Sequence, residues 1–327
     1  PMTAAAPARA DLVIRGGTVV DGGGVPRFAA GVAVQGRCSA AVGDLGATVG
    51  EMEQDASGLI VAPGFIDVHT HDDRLLISDP SMSAKVSQGV TTVVVGNCGV
   101  SLAPLALPGA PPPPLDLLGG AEDYRFPRFA DYAAALDEAG AAVNVAALVG
   151  HSSLRAGAMD RLDRPAEAAE IAAMKARLEE GLEAGAIGLS TGLDYAPARQ
   201  APTEEVMALA AALKPAGAIH TTHMRDEHSA ILEAMDEAFA IGRSAGVPVV
   251  ISHFKVAGQP NHGRSVETLA RYRAAATAQP LALDAYPYAA SSTVLRNEYL
   301  HEAPRILISW SKSHPQQAGR ELDAIAA

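Results

Sequence analysis

Five side chains with the chemistry of metal ligands stand where apolar runs end. His69 and His71 follow Phe65-Ile66-Asp67-Val68, Cys98 follows Thr91 to Val95, His223 follows Ala218 to Thr222, and His253 follows Val247 to Ser252. Residues i and i+2 of a strand share a face, so His69 and His71 present two imidazoles to one point. Imidazole suits zinc, and a thiolate binds it more strongly still. One histidine at a strand end is ordinarily a hydrogen-bonded core or rim group. Four such residues on separate strands, with the His-x-His pair added, read as a metal site.

Elements that converge side chains in this way are the strands of a parallel sheet. Seven candidates follow Pro63: Gly64 to Val68, Thr91 to Val95, Val143 to Val149, Ala186 to Leu189, Ala218 to Thr222, Val247 to Ser252 and Leu281 to Ala285. Amphipathic segments separate them, and such alternation implies parallel pairing. Asp163 and Pro165 open a helix carrying Ile171, Met174, Leu178 and Leu182 and closed by Gly185; Thr203 caps a second with Val206, Leu209 and Leu213 inward; Ile231, Met235 and Phe239 mark a third ending near Gly246. His69 to Cys98 is 29 residues, His223 to His253 is 30 and His253 to Tyr286 is 33. That repeat matches the roughly 31 residues per unit of a (β/α)8 barrel, whose strand C-termini carry the active site. A doubly wound open sheet alternates similarly, and the eighth strand that separates the two is not reached. The expected fold is therefore an α/β barrel of strands one to seven over 63–289. Before it, glycine turns (Gly16-Gly17, Gly22-Gly23-Gly24) separate short β runs, a small β unit over 1–62. Residues 290–327 lie beyond the seventh strand. The proline-rich run Leu102 to Arg128 reads as a long extended loop, either a stiff surface excursion or part of the active-site rim.

Composition narrows the partners. With 25 basic against 37 acidic residues the net charge is −12, which leaves no basic face for nucleic acid or anionic lipid. No run approaches the roughly 18 apolar residues of a membrane span, and no export signal is evident. Two cysteines in 327 residues do not make a disulfide framework, so a reducing cytoplasm is expected. A small-molecule substrate is the remaining partner class, with the oligomeric state open.

The block Ala62-Pro63-Gly64-Phe65-Ile66-Asp67-Val68-His69-Thr70-His71 resembles the first-strand signature of the amidohydrolase superfamily. Within it the fuller resemblance is to the N-acyl-D-amino-acid deacylases (D-aminoacylases). Gly96-Asn97-Cys98-Gly99, Gly150-His151-Ser152-Ser153-Leu154-Arg155, Thr222-His223-Met224-Arg225, Ile251-Ser252-His253-Phe254-Lys255 and Tyr286-Pro287-Tyr288 with Ser291-Ser292-Thr293 carry it along nearly the whole chain. The resemblance implies zinc-dependent hydrolysis of linear N-acyl-D-amino acids. A tight zinc would sit on Cys98, His223 and His253, and a weaker second position on His69 and His71, with Cys98 able to bridge. Lys255 would take the substrate carboxylate, Tyr286 would hydrogen-bond the reacting or carboxyl oxygen, and Tyr195 and Ser292 would line the pocket. Hydantoinases and dihydroorotases of the superfamily bridge two metals with a modified lysine on the fourth strand. Ala186 to Thr191 contains none, which demotes that alternative of cyclic-amide hydrolysis. The resemblance also puts the general-base aspartate and a closing β half-domain beyond Ala327, so the polypeptide reads as truncated, its own competence open. Asp72 and Asp73 are read as orienting the first histidines, His151 as standing behind the ligands, His220 as structural, and Cys38 as a buried apolar residue.

Overall fold

The computed structural model describes residues 7–293, 295, 300, 303–311 and 313–326. The chain divides into two units, one up to Phe65 and one from Ile66. The first turns the glycine-punctuated text into a sheet: β1 (Arg9–Val19), β2 (Phe28–Gln35), β3 (Cys38–Gly43) and β4 (Val49–Asp55) lie in the order β3-β2-β1-β4, and β5 (Ile60–Val61) also pairs with β1. Its small core is Ala10 and Val13 of β1, Ala33 of β2, Ala41 of β3 and Leu45 from the turn that follows β3. Cys38 departs from expectation. It opens the edge strand β3 and is exposed rather than buried.

The second unit holds all seven expected strands: β6 (Phe65–Asp67), β7 (Val90–Val95), β10 (Asn144–Gly150), β11 (Gly188–Gly192), β12 (Ile219–His223), β13 (Val249–Ile251) and β14 (Leu281–Leu283). Between β7 and β10 runs a two-stranded hairpin, β8 (Leu105–Ala106) with β9 (Arg125–Phe126). The sheet order β14-β13-β12-β11-β10-β7-β6 follows the chain, and the pairs from β7 to β14 are parallel. Were this sheet open and flat, six steps of about 4.8 Å would part its edges by about 29 Å. Instead His69, just past β6, reaches Asp284, just past β14, at 3.3 Å. The sheet is curled, as a barrel requires.

Helices occupy the connections: α1 (Leu75–Ser78) and α2 (Ser83–Val86) after β6, α3 (Phe129–Ala139) after β9, α4 (His151–Ala158) and α5 (Ala168–Glu183) after β10, α6 (Ala196–Arg199) and α7 (Thr203–Ala210) after β11, α8 (Ile231–Ala245) after β12 and α9 (Ser265–Ala276) after β13. Met174 and Leu178 of α5, Val206 and Leu209 of α7 and Phe239 of α8 are buried, following the helical period. Two helix starts differ from the sequence reading. α5 begins only at Ala168, because Glu167 and Glu170 form a capping box and Arg164 pairs with Glu170 ahead of it. Thr203 is not a cap; its hydroxyl donates to Glu237 at 2.8 Å. The proline-rich segment is no surface excursion either. Leu102, Leu105, Leu115, Leu118 and Tyr124 are all buried in the main core, and the Tyr124 hydroxyl donates to the Leu115 carbonyl at 2.6 Å. Its leucines, one every few residues among the prolines, supply the apolar surface that holds it down.

Candidate metal centre

At the C-terminal end of the curled sheet the chain places Cys98 and His253 in the left-handed backbone region, at φ 55° and 37°. A residue with a Cβ pays about 1–2 kcal/mol to sit there, so the surroundings must impose it. Around Cys98, the Gly96 amide donates to Asp73 at 3.3 Å, the Asn97 side chain to the Val94 carbonyl at 3.0 Å and the Gly99 amide to Ser190 at 3.0 Å. The backbone is also pressed from the far side. A Cβ on Gly192 would collide with the Cys98 carbonyl oxygen, and one on Gly99 would come within 2.7 Å of the Gly192 nitrogen. Glycine is the residue that fits at both positions. Around His253, Asp284 accepts the backbone N–H at 2.6 Å.

These constraints bring the expected donors together. Cys98 Sγ lies 3.2 Å from His69 Nε2 and 3.5 Å from His253 Nε2, and His253 Nε2 lies 2.8 Å from His223 Nδ1. Two triads result, Cys98–His223–His253 and His69–His71–Cys98, each with its ligand atoms within 4.8 Å of one another and both sharing the thiol. Two ligands of one tetrahedral zinc lie about 3.3–3.6 Å apart for Zn–N and Zn–S bonds of ordinary length. The thiol contacts fall close to that spacing, and the donor set is nitrogen and sulfur throughout. His71 Nδ1 is moreover a buried ring nitrogen with no hydrogen-bond partner among the described residues. The residues fit zinc.

Behind the ligands stand carboxylates. Asp284 lies 3.3 Å from His69 Nδ1, and Glu227 lies 2.9 Å from His253 Nδ1. Each ring therefore presents Nε2 to Cys98 with its Nδ1–H held by an anion, the carboxylate–histidine arrangement that fixes tautomer and orientation at metal sites. Burial pulls both imidazoles toward neutrality. Asp284 and Cys98 more than offset it at His69, raising its pKa to about 10, and Cys98 and Glu227 raise that of His253 to about 9. Burial likewise opposes the Cys98 thiolate, yet hydrogen bonds from His223, His253, His69 and His71 hold its pKa well below the ordinary thiol value. The centre is a thiolate whose negative charge favours protons on His69 and His253, protons that a dication bound there would displace.

Asp284 and Glu227 escaped the sequence reading. Asp284 carried a usable sign, since it follows an apolar strand and precedes Tyr286 by two; Glu227 lies in the loop four residues after His223 with no periodicity to mark it. The other expected site residues divide. The Tyr195 hydroxyl lies 3.1 Å from His223 Nδ1 with its ring 4.5 Å from that imidazole. Lys255 is beside the centre, its ammonium 2.5 Å from Glu227 Oε2 and 3.0 Å from His253 Nδ1. Tyr286 is more than a third exposed and stacks on Tyr288, and Ser292 is exposed; among the described residues neither makes a hydrogen bond to the centre. Asp72 pairs with Lys85 at 3.1 Å. Asp73 is buried, bonds the Gly96 amide and has its pKa pushed up to about 6 by that burial. His151 and His220 are buried apart from the centre, each with its own partner: His151 Nε2 lies 2.9 Å from Glu205, and His220 Nε2 lies 3.1 Å from Thr191.

Comparison with known proteins agrees with this architecture. The profile of the amidohydrolase family matches residues 52–306. The chain belongs to the amidohydrolase family. This amidohydrolase chain is 53% identical over 317 residues to a D-aminoacylase of Alcaligenes xylosoxydans xylosoxydans, covering 97% of the chain and 65% of that relative. It thus spans less than two thirds of the relative's length. A solved D-aminoacylase with a binuclear metal centre, described as activated by one metal and attenuated by a second, superposes with a TM-score of 0.94 at 51% identity, over 97% of this chain and 67% of that one. An N-acyl-D-glutamate deacylase from Bordetella bronchiseptica, complexed with zinc and a phosphonate mimic of the tetrahedral intermediate, gives 0.93 at 45% identity over the same shares. The barrel with its N-terminal β unit, read from strand spacing, is the fold these structures share. Among the described residues no helix is long and apolar enough to cross a membrane.

Proposed function

We propose that the protein carrying this chain hydrolyses the amide bond of N-acyl-D-amino acids, releasing a D-amino acid and a carboxylate, with zinc at the strand ends. The observation that carries the reading is the pair of nitrogen–sulfur triads sharing Cys98, together with relatives whose reactions are of this class. Cys98, His223 and His253 would hold the tight ion, and His69 and His71, with Cys98 bridging, a weaker second. Zinc bound there supplies Lewis acidity toward a carbonyl oxygen and lowers the pKa of water to about 7.

The chain's own residues do the rest. Asp284 and Glu227 fix the tautomers of His69 and His253. Lys255 lies within hydrogen-bond distance of Glu227, of His253 Nδ1 and of the His253 carbonyl at 3.2 Å, and its part-exposed ammonium would turn a donor toward a substrate carboxylate. Tyr195 lines the wall at His223, and Tyr286 and Ser292, both exposed, would contribute from the segment after β14. The carboxylates described around the centre are engaged: Asp284 and Glu227 by histidines, Asp72 by Lys85, and Asp73 by a backbone amide. None of them is given the proton transfer from water to the leaving amine. Residues 63–289 would be the catalytic barrel, 1–62 part of a small β domain and 290–327 the start of a lid-like insertion, in a cytoplasmic protein that binds a small molecule rather than nucleic acid. β11 contains no lysine, which favours the cysteine-bridged centre over the hydantoinase type.

The test is an assay of the zinc-loaded protein against N-acetyl-D-amino acids, their L enantiomers and hydantoins. Release of free D-amino acid with little from the other two is expected. Preferential opening of hydantoins, or no turnover of any N-acyl-D-amino acid, rejects the reading.

A further inference from the structure

The turn between β11 and α7 contains only the one-turn helix α6, and so short a helix leaves its carbonyls without partners of its own. Arginines take them. Arg155 Nε donates to the Pro197 carbonyl at 2.6 Å, while Arg225 Nη1 donates to Arg199 at 3.0 Å and Nη2 to Ala201 at 2.9 Å. Both guanidiniums come from the ends of flanking strands, Arg155 from α4 directly after β10 and Arg225 two residues beyond His223. Each is backed by a carboxylate from a following helix. Glu205 of α7 contacts Arg155 and is shared with His151; Glu237 of α8 grips Arg225 through two bonds of 2.8 and 2.7 Å. The Arg155–Glu205 pair is fully buried and the Arg225–Glu237 pair partly so; ion pairs withdrawn from water are a weak source of stability and a good way to fix geometry. An ordinary surface turn needs neither.

The clamped segment carries Tyr195, the residue that precedes α6, whose hydroxyl rests on His223. On its other side Gly192 abuts the Cys98 carbonyl and leaves no room between that carbonyl and the Tyr195 ring. We propose that Arg155 and Arg225 are positioning residues that act through Tyr195, holding its hydroxyl against His223 by fixing the backbone of residues 195–201. The inference deepens the deacylase reading above and rests on it for its kinetic arm alone.

Arg225→Lys is the decisive variant, because an ammonium keeps the charge opposite Glu237 but cannot span two carbonyls and a carboxylate. The seven tyrosines are replaced by 3-fluorotyrosine, and the Tyr195 fluorine signal is assigned by its loss in Tyr195→Phe. In the wild type this signal moves when zinc is titrated in. In Arg225→Lys it is expected at a changed position with a diminished response to zinc, the remaining signals being unaltered. Turnover of N-acetyl-D-amino acids should fall about tenfold or more in kcat, since displacements of about 1 Å cost up to about a hundredfold. In the Tyr195→Phe background the same substitution should cost less than about twofold. Should Arg225→Lys fail to fold, Glu237→Gln loosens the same guanidinium and is expected to move the signal the same way. An unchanged Tyr195 signal, or an equal kinetic loss in both backgrounds, overturns the proposal. A wild type inactive on every such substrate overturns the deacylase reading, and the fluorine spectra still decide the clamp.

Discussion

Two sets of histidines, both withdrawn from water in one barrel, carry opposite preferences for charge. At the strand ends His69 and His253 are held at about 10 and about 9; deeper in the sheet His220 is pushed down to about 3 by burial, and His151 also lies below its ordinary value. Desolvation acts on all four rings in the same direction. What differs is the neighbour. His69 faces Asp284 and the Cys98 sulfur, anions to which no guanidinium is paired. His151 faces Glu205 as well, but Arg155 already neutralises that carboxylate and repels a second positive charge. Burial therefore does not separate a candidate ligand histidine from a structural one; the balance of charge around the ring does, with the Cys98 sulfur added to a carboxylate at His69 and His253 and Arg155 set against Glu205 at His151.

The comparison breaks most severely at the thiol. Cys98→Ala removes the atom common to both triads, and zinc is expected to fall from about one ion per chain to near none. Elemental analysis of the purified variant beside Cys38→Ala, whose thiol is exposed in the other unit, checks it. Wild-type zinc in Cys98→Ala would reject the site. In the structural set the largest effect belongs to Glu205→Ala. It leaves the fully buried Arg155 without its counter-ion, a defect that costs about 3–5 kcal/mol. Chemical denaturation should show that loss while the folded fraction keeps its zinc. A loss under about 1 kcal/mol would mean the buried pair is not the support argued here.

How far the sequence discloses this division is instructive. The seven strands are legible because both faces of a parallel sheet are covered, so runs such as Thr91 to Val95 and Val143 to Val149 are almost continuously apolar. The five candidate ligand residues are legible for the same reason, as the first chemically capable residues after those runs. Asp284 and Glu227 are not, since carboxylates are common in loops and only the fold reveals which of them meets a ring. The burial of Leu102, Leu105, Leu115, Leu118 and Tyr124 is hidden by the prolines among them, which report backbone stiffness and say nothing of where the leucines between them go. His220 was read correctly as structural because strand parity turns it away from His223.

The pH dependence of stability sharpens the contrast on the structural side. His220 stays neutral in the folded chain down to about pH 3, whereas in the unfolded chain it protonates near 6.5. Between those values the unfolded state holds the extra proton, so stability is full above about 6.5 and drains as pH falls, by at most about 1.4 kcal/mol per pH unit. Glu205 has a folded value near 2 against an ordinary 4.5. Its contribution is thus intact above about 4.5 and is lost only as pH falls further toward 2. Comparing pH 7 with pH 5 therefore excludes Glu205, and comparing a His220 variant with the wild type cancels the other groups that titrate there. His220→Gln in metal-free protein should lose less stability over that interval than the wild type, and parallel losses would assign the slope elsewhere.

The smallest effects, and the finest probe of the comparison, lie in the two carboxylates behind the ligands. If the excess of negative charge around a buried ring is what makes it a ligand, then Glu227→Gln, which keeps the shape and removes one of the two anions facing His253, should weaken zinc binding by about 10–100-fold without abolishing it. Asp284→Asn should do the same at His69. It should also disturb the tight triad, because Asp284 accepts the His253 backbone N–H at 2.6 Å and so helps to hold that residue at φ 37°. Glu227 touches only the ring and the neighbouring Lys255 ammonium. The two variants should accordingly differ in kind: Glu227→Gln lowers the affinity of the tight ion alone, while Asp284→Asn lowers both affinities. Titration against a chromophoric chelator separates the two steps. Affinities within about twofold of wild type in both variants would show that the thiolate suffices to charge the centre, and that the carboxylates serve the backbone rather than the metal.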